Sequence, residues 1–319
     1  MRAMALRKYG PLEEMEKIDL PLPKPKKGEV RVRVHASALN PADYKVGLGQ
    51  VKFLRARHFP MVLGNDFSGV IEAVGEDSDW KIGESVFGFL PYGPFNRKGA
   101  FAETLIARTD EIASKPSGVS HIQAAAAATP GLTAIQGIRD AGKLSSSGGR
   151  VLITGVSGGV GSVAVSVAGK LGAVSVGVGS GRGITLAKQL GASDVIDRKQ
   201  QDVFAFSGAP FDVVFDAAAA YRWKQWKGKL KSGGTYVTTL PSLSFLADKL
   251  QSLGAASGAA MVSVKSKPSD LRLLGSWLDS GLTITIDSTI PVREAALGLA
   301  KLQRGEVTGR MVVDVINGF

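Results

Sequence analysis

An α/β fold, built on a doubly wound parallel sheet joined to a second, strand-rich region, is what this 319-residue sequence predicts. Three observations carry that expectation. Between Gly149 and Val264, β-branched runs alternate with helical stretches. One run, residues 151–154, meets a glycine-rich turn, Gly155-Val156-Ser157-Gly158-Gly159-Val160-Gly161, and a small-residue helix follows over 162–171. The first part of the chain, by contrast, reads as short strands punctuated by Pro and Gly.

In chain order, residues 21–29 (PLPKPKKGE) form a turn-rich linker before an alternating strand over 30–35. Further strands are expected over 70–75 and 84–89, and another opens at Gly99 and runs to Ala107. The period changes at His121. Residues 121–137 are Ala-rich with helical spacing, expected to break at Thr129-Pro130-Gly131, and Ala124 to Ala128 suit close helix packing. The parallel strands are expected over 151–154, 174–178, 194–196, 213–216 and 235–239. From Lys265 the tail reads as a helix (269–279), a strand (283–286), a second helix (292–303) and a last strand (310–315). This organises the chain as residues 1–120, a dinucleotide-binding region over 121–264, and a closing segment over 265–319. No internal repeat is evident.

The glycine turn carries the chemistry. A strand, a tight turn and a helix N-terminus are what hold a dinucleotide pyrophosphate: glycines admit the phosphate oxygens to the main chain, and the first helical N–H groups meet the anion. The candidate contacts are Gly155, Ser157, Gly158, Gly159, Val160 and Gly161. The spacing is Gly155-x-x-Gly158-x-x-Gly161, with Ser157 in the second glycine position of the usual pattern, and a purely structural turn is the alternative. The next strand distinguishes the cofactors. An NAD-specific fold usually ends it with Asp or Glu on the ribose 2′-hydroxyl. This chain has Gly179-Ser180-Gly181-Arg182-Gly183 instead. A hydroxyl and a guanidinium with no carboxylate favour a 2′-phosphate, hence NADP(H), with Ser180 and Arg182 as its contacts. The alternative is that Arg182 is a solvated charge and NADH binds without preference.

Composition narrows the class further. Hydrophobic residues make up 44% and charged residues 21%, as in an ordinary soluble globular protein. The net charge of +11 favours anionic partners, but no nucleic-acid motif accompanies it, so specific nucleic-acid binding is not expected. Membrane association is expected to be peripheral at most. The absence of cysteine excludes disulfides, thiolate catalysis and cysteine-ligated zinc. Nothing resembles a signal peptide, and no apolar window reaches a membrane span, so the expected location is cytoplasmic.

With these pieces in order, the chain resembles the medium-chain dehydrogenase/reductase superfamily over essentially its full length. It is most similar to the zinc-independent quinone oxidoreductase-like and alkenal/enone reductase branch. The residues that carry the resemblance are 38–45 (ALNPADYK), 64–70 (GNDFSGV), 83–86 (GESV), 99–103 (GAFAE), the Gly155–Gly161 turn and 309–313 (GRMVV). The resemblance implies a GroES-like β-rich catalytic domain, completed by the C-terminal tail, and a Rossmann domain between, with the active site in the cleft. Zinc-dependent members carry Cys where this chain has Asn40, and His–Glu where it has Asn65-Asp66. Asparagine is a poor zinc ligand, and His35, His58 and His121 are far apart in sequence with no ligand spacing, so no catalytic metal is expected.

Hydride transfer without a metal then requires a conjugated acceptor and donors at the oxygen where charge develops. Asn40, Asp43, Tyr44 and Lys45 fall where the family lines its substrate cleft. Lys45 is the candidate donor or proton source and Tyr44 the second choice. A solvated Lys45, and an Asp43 that merely caps a helical turn, are the alternatives. By resemblance Thr129 and Thr133 contact nicotinamide or phosphate, unless they are helix caps. Thr238 and Leu240, after Gly233-Gly234, could hold the carboxamide through the backbone. Arg310 is a candidate contact of cofactor or substrate, and residues 92–99 a candidate lip over the substrate. The function expected is NADPH-dependent reduction of an enone, enal or quinone, and the resemblance implies a homodimer paired through sheet edges. The alternative is an NADPH-binding regulatory or structural protein without turnover, peripheral to an acidic membrane.

Overall fold

The computed structural model describes every residue except Arg55 and Ala56. Its strands begin with β1 (Arg2–Leu6), β2 (Glu16–Asp19), β3 (Glu29–Ala38), β4 (Met61–Val62), β5 (Asp66–Val74), β6 (Ser85–Phe89), β7 (Thr104–Arg108) and β8 (Ile112–Ser114). They continue as β9 (Gly149–Thr154), β10 (Ala173–Gly179), β11 (Asp194–Asp197), β12 (Phe211–Asp216), β13 (Leu230–Thr238), β14 (Gly258–Met261), β15 (Ile286–Pro291) and β16 (Arg310–Asp314). The helices are α1 (Pro41–Gly47), α2 (His121–Ile135), α3 (Gly159–Lys170), α4 (Arg182–Gln189), α5 (Trp223–Trp226), α6 (Leu243–Gln251), α7 (Pro268–Asp279) and α8 (Ala295–Gln303). The chain divides into two compact units, one of Met1–Thr129 with Lys265–Phe319, the other of Pro130–Val264.

The first unit is built on a sheet in the order β15-β16-β3-β5-β6-β8, with β7 also on β3, and a smaller sheet β2-β1-β4. Strand β3 shows why. Val30, Val32 and Val34 alternate inward, and the strand is long enough to pair β5 along nearly its whole length while also pairing β7 along its first half and β16 along its last residues. Through β16 the C-terminal segment becomes part of this unit's sheet. The core includes Leu39, Leu63, Phe67, Phe101, Leu299 and Met311.

The second unit is a six-stranded parallel sheet in the order β11-β10-β9-β12-β13-β14. This is the doubly wound pattern expected from the sequence. The central strands are apolar because both faces are covered: Leu152, Val176, Val178, Val214 and Tyr236 are all buried.

Several boundaries differ from the sequence reading. Helix α2 does not break at Pro130 but runs through it. Pro130 has no N–H to give, and the N–H of Thr129 goes to the Asp66 carboxylate instead. The helix thus forgoes the bond that Pro130 cannot make, while the buried alanines on either side hold it together. The strand expected from Gly99 starts only at Thr104, because the N–H groups of Ala100, Phe101 and Glu103 go to Gly64, Leu63 and Arg2 carbonyls instead of to β3. The strand expected at 283–286 lies at Ile286–Pro291. The sixth parallel strand, β14, escaped the sequence reading because Gly-Ala-Ala-Met has little strand propensity.

Candidate functional site

In the second unit the strand order reverses between β9 and β12, and the crevice at such a reversal is where a doubly wound sheet binds its ligand. The glycine turn leaves β9 at this point. Gly155 has φ +67°, and its Cβ would lie 3.0 Å from that of Ala218. At Gly161 a Cβ would be 2.2 Å from the Gly155 carbonyl oxygen, so only glycine allows helix α3 this close to the turn. Gly158 has an ordinary φ of −88° and room for a side chain. The first helical bond from beyond the turn is Ser162 N–H to Gly158 O, so Gly159, Val160 and Gly161 have no carbonyl one turn earlier. Ser157 lies within the same turn. These residues fit a pyrophosphate: a backbone cradle, helical N–H groups and no carboxylate among them.

Ser180 follows the last residue of β10, and Arg182 opens α4 with its side chain exposed. A residue the sequence reading missed stands beside them. Arg198 donates its N–H to Gly179 O (3.0 Å), which brings a second guanidinium-bearing residue to the end of β10. The signal was available in the parallel register, since Asp197 pairs with Gly179. Thr238 closes β13, buried, with its carbonyl accepting the Val262 N–H (3.0 Å). Leu240 lies past the strand end and is largely exposed.

Beneath the crevice lies a buried carboxylate that the sequence reading did not single out. Asp216, at the end of β12, accepts from Thr154 Oγ1 of β9 (2.5 Å), Tyr236 Oη of β13 (2.8 Å) and Tyr221 N–H (2.8 Å). Thr154 Oγ1 in turn accepts the Ala218 N–H (3.3 Å). One side chain therefore ties three strand ends together next to the glycine turn. Burial, followed by the Asp216 carboxylate, raises the Tyr236 phenol well above its ordinary value.

In the first unit Asn40, Asp66, Thr129 and Arg310 form one buried cluster. Arg310 donates from Nη1 to Asn40 Oδ1 (3.0 Å) and from Nη2 to Asp66 Oδ2 (2.7 Å). Asn40 Nδ2 also reaches Asp66 Oδ2 (3.0 Å), and Thr129 donates both its N–H (2.8 Å) and its hydroxyl to Asp66 Oδ1. Burial pushes the Asp66 carboxyl up, against the opposing pull of Arg310 and these donors. Asn40 and Asp66, where the resemblance noted above implies zinc ligands in other members, are here bridged by a guanidinium. Asn65 is turned away, donating to Leu90 O (2.5 Å). Among the described residues no group of three His, Asp or Glu could hold a metal ion. Thr133 lies one turn beyond Thr129, in the second unit, buried.

The segment 40–45 is split by its own helix. Asp43 is buried, and its carboxylate accepts the N–H of Asn40 (2.8 Å) and of Gly64 (3.1 Å), which anchors the start of α1. Tyr44 and Lys45 lie on the half-buried side. Burial raises the Tyr44 phenol. Among the described residues no ion pair or hydrogen bond engages Lys45 Nζ.

Two histidines that are distant in sequence meet. The rings of His35 (β3) and His121 (first residue of α2) stack with centroids 4.2 Å apart, and Ser68 Oγ lies 2.8 Å from His121 Nδ1. Burial, then the charges of His35 and Lys115, lowers the His121 pKa to about 4.

Two protein-family models match the chain: an alcohol dehydrogenase GroES-like domain over residues 26–117 and a zinc-binding dehydrogenase domain over 190–313. The chain is 31% identical to a chloroplastic quinone-oxidoreductase, QR1, of Triphysaria versicolor, covering 98% of each. It is 30% identical to a 2-methylene-furan-3-one reductase of Solanum lycopersicum, covering 99% of this chain and 79% of that protein. The structure of the quinone oxidoreductase from Coxiella burnetii superposes with a TM-score of 0.87 at 28% identity, over 99% of each chain.

Proposed function

The chain belongs to the medium-chain dehydrogenase/reductase superfamily, in its zinc-independent quinone-oxidoreductase-like branch, and from that premise we propose that it reduces enones, enals or quinones with NADPH. At family level the activity is that of a zinc-independent NAD(P)H oxidoreductase. The preference for NADPH and the residues in each role are our own reading. The observation that carries it is the crevice of the second unit: a backbone cradle at Gly155–Gly161, followed by a strand that ends in Ser180 and Arg182 rather than a carboxylate.

A bound nicotinamide dinucleotide supplies the hydride. The N–H groups of Gly159, Val160 and Gly161 would hold the pyrophosphate, and Ser180 Oγ and the Arg182 guanidinium would hold the 2′-phosphate, with Arg198 as a further cation. Lys45 acts as the donor. Its ammonium hydrogen-bonds the acceptor's carbonyl oxygen, stabilises the negative charge that develops there, and passes a proton to it. Tyr44 is the second donor on the same helix. Asp43 and Asn40 take positioning roles, because their polar atoms are committed to the start of α1 and to the Asp66–Arg310 cluster. The relatives named for quinones and for a furanone reductase support this acceptor class.

The test is loss of NADPH absorbance, set against NADH, with a small enone, a long-chain alkenal and a 1,4-quinone, with and without chelator. Turnover is expected to resist chelator and prefer NADPH. Arg182→Ala is expected to weaken NADPH binding about tenfold, near the 1.4 kcal/mol of one charge-assisted contact, and to leave NADH unchanged. Equal loss with both cofactors would remove the 2′-phosphate assignment. Tight NADPH binding with no turnover on any acceptor would remove the reductase reading.

A further inference from the structure

Among the described residues strand β7 is paired on one side alone, with β3. Its residues Thr104, Leu105 and Ile106 line a cavity of about 230 Å³ that opens to solvent, and Leu20 and Pro23 line it too. Pro21, Pro23 and Pro25 have no N–H to offer a strand edge, so this segment cannot close the gap by adding a strand. Arg31, paired with Glu72 (2.7 Å), holds it in place from Nη1 to the Pro23 carbonyl (3.0 Å). Val62 of β4 and Met1 add to the apolar lining. The cavity is therefore a built feature of the first unit, and Asn40, Tyr44 and Lys45 are not among its lining residues.

Wall and mouth differ in chemistry. The wall is mainly aliphatic, and the Thr104 hydroxyl within it meets Met1 Sδ (2.9 Å), a weak acceptor. The titratable side chains that line the cavity are those of His58, Arg97 and Lys98, with no carboxylate among them. Lys98 is already committed, its Nζ 3.5 Å from Glu111 and 3.8 Å from Glu29. His58 and Arg97 are exposed, and among the described residues no hydrogen bond or ion pair engages either side chain.

We propose that this cavity binds a medium-chain carboxylate, its alkyl chain against Leu20, Val62, Leu105 and Ile106 and its head on Arg97 and His58. Size sets the chain. A methylene takes nearly the ~30 Å³ of a water in the liquid, so the cavity holds about eight carbons. Charge sets the head. One guanidinium is uncommitted at the mouth, which calls for one negative charge, and its planar fork matches a carboxylate through two parallel hydrogen bonds. The His58 ring supplies a further donor. An apolar wall with a few convergent polar groups is the usual form of a small-molecule site, and the net charge of +11 draws anions to the surface.

The inference stands apart from the reductase reading, and its test uses no nucleotide. The chain has three histidines, and His35 and His121, stacked on each other, do not line the cavity. With the histidine rings of the full chain labelled with carbon-13, titration with octanoate should move the His58 ring signal and leave the other two in place. Acetate, a head without a chain, and 1-octanol, a chain without a charge, should each leave His58 unmoved at the same concentration. Arg97→Ala should weaken octanoate about tenfold, as for the loss of one charge-assisted contact. Ile106→Trp, which fills the cavity from β7, should abolish the shift. An unmoved His58 signal with octanoate overturns the proposal. So does an equal response to acetate, which would mark a bare anion site, or to 1-octanol, which would mark an apolar slot. If Ile106→Trp fails to fold, the exposed Arg97→Ala decides, and unchanged octanoate affinity in it counts against the site.

Discussion

Each unit buries one aspartate at the end of a strand, and the two are neutralised in different ways. Asp66, at the start of β5, faces a guanidinium: Arg310 sits 2.7 Å away, with Asn40 and Thr129 filling the remaining acceptor positions. Asp216, at the end of β12, has only neutral donors, two hydroxyls and one backbone N–H, and among the described residues no cation pairs with it. Removing a partner therefore has different consequences. At Asp66 it strands a charge, and at Asp216 it loses a hydrogen bond while other donors remain.

The largest effect should follow from breaking the first arrangement. Arg310→Leu leaves a carboxylate with no exposed surface and no counter-charge, and is expected to cost about 3–5 kcal/mol in urea unfolding. Adding Asp66→Asn should return part of that loss, because the stranded charge is gone. A single and a double variant of equal stability would show that the guanidinium packs there without neutralising anything. Asp216→Asn should cost less, about 1–3 kcal/mol, since the amide cannot accept from every donor that now converges on the carboxylate. Tyr236→Phe should cost about 1 kcal/mol and leave the Thr154 contact in place. If Asp216→Asn proves as damaging as Arg310→Leu, the contrast between the two centres fails.

The sequence revealed these centres unevenly. The glycine turn was legible because its requirement is local: Gly155 needs positive φ and Gly161 touches a carbonyl six residues back. The expectation of no catalytic zinc rested on Asn40 and Asn65, where residue type alone makes poor ligands. Arg310 was marked as a candidate contact, but its partners lie 244 and 270 residues away, and no periodicity records such a distance. Asp216 read as the end of a buried strand, and only the adjacency of β9, β12 and β13 shows what converges on it. Arg198 could have been found by counting parallel register from Gly179 to Asp197, a step that needs the strand order first. The two histidines were the clearest loss, since separation in sequence hid rings that stack at 4.2 Å.

That pair adds a smaller, pH-dependent asymmetry to the first unit. His121 is the better-defined member, lowered from 6.5 to about 4 by burial and then by His35 and Lys115. His35 is lowered too, by burial and by Arg33 and Lys115, with Asp314 opposing. The folded ring stays neutral where the unfolded ring takes up a proton. Stability is therefore full above about pH 6.5, falls as the pH drops toward 4, and gains no further loss from this group below that. The whole shift would correspond to about 3 kcal/mol, and partial solvent contact reduces it to roughly 1–2 kcal/mol. Urea unfolding at a series of pH values should show a shallower acid-side decline in His121→Gln than in the parent, because the variant has no ring to protonate. Parallel declines in the two proteins would assign the acid sensitivity to the carboxylates and leave the histidine pair without a part in it.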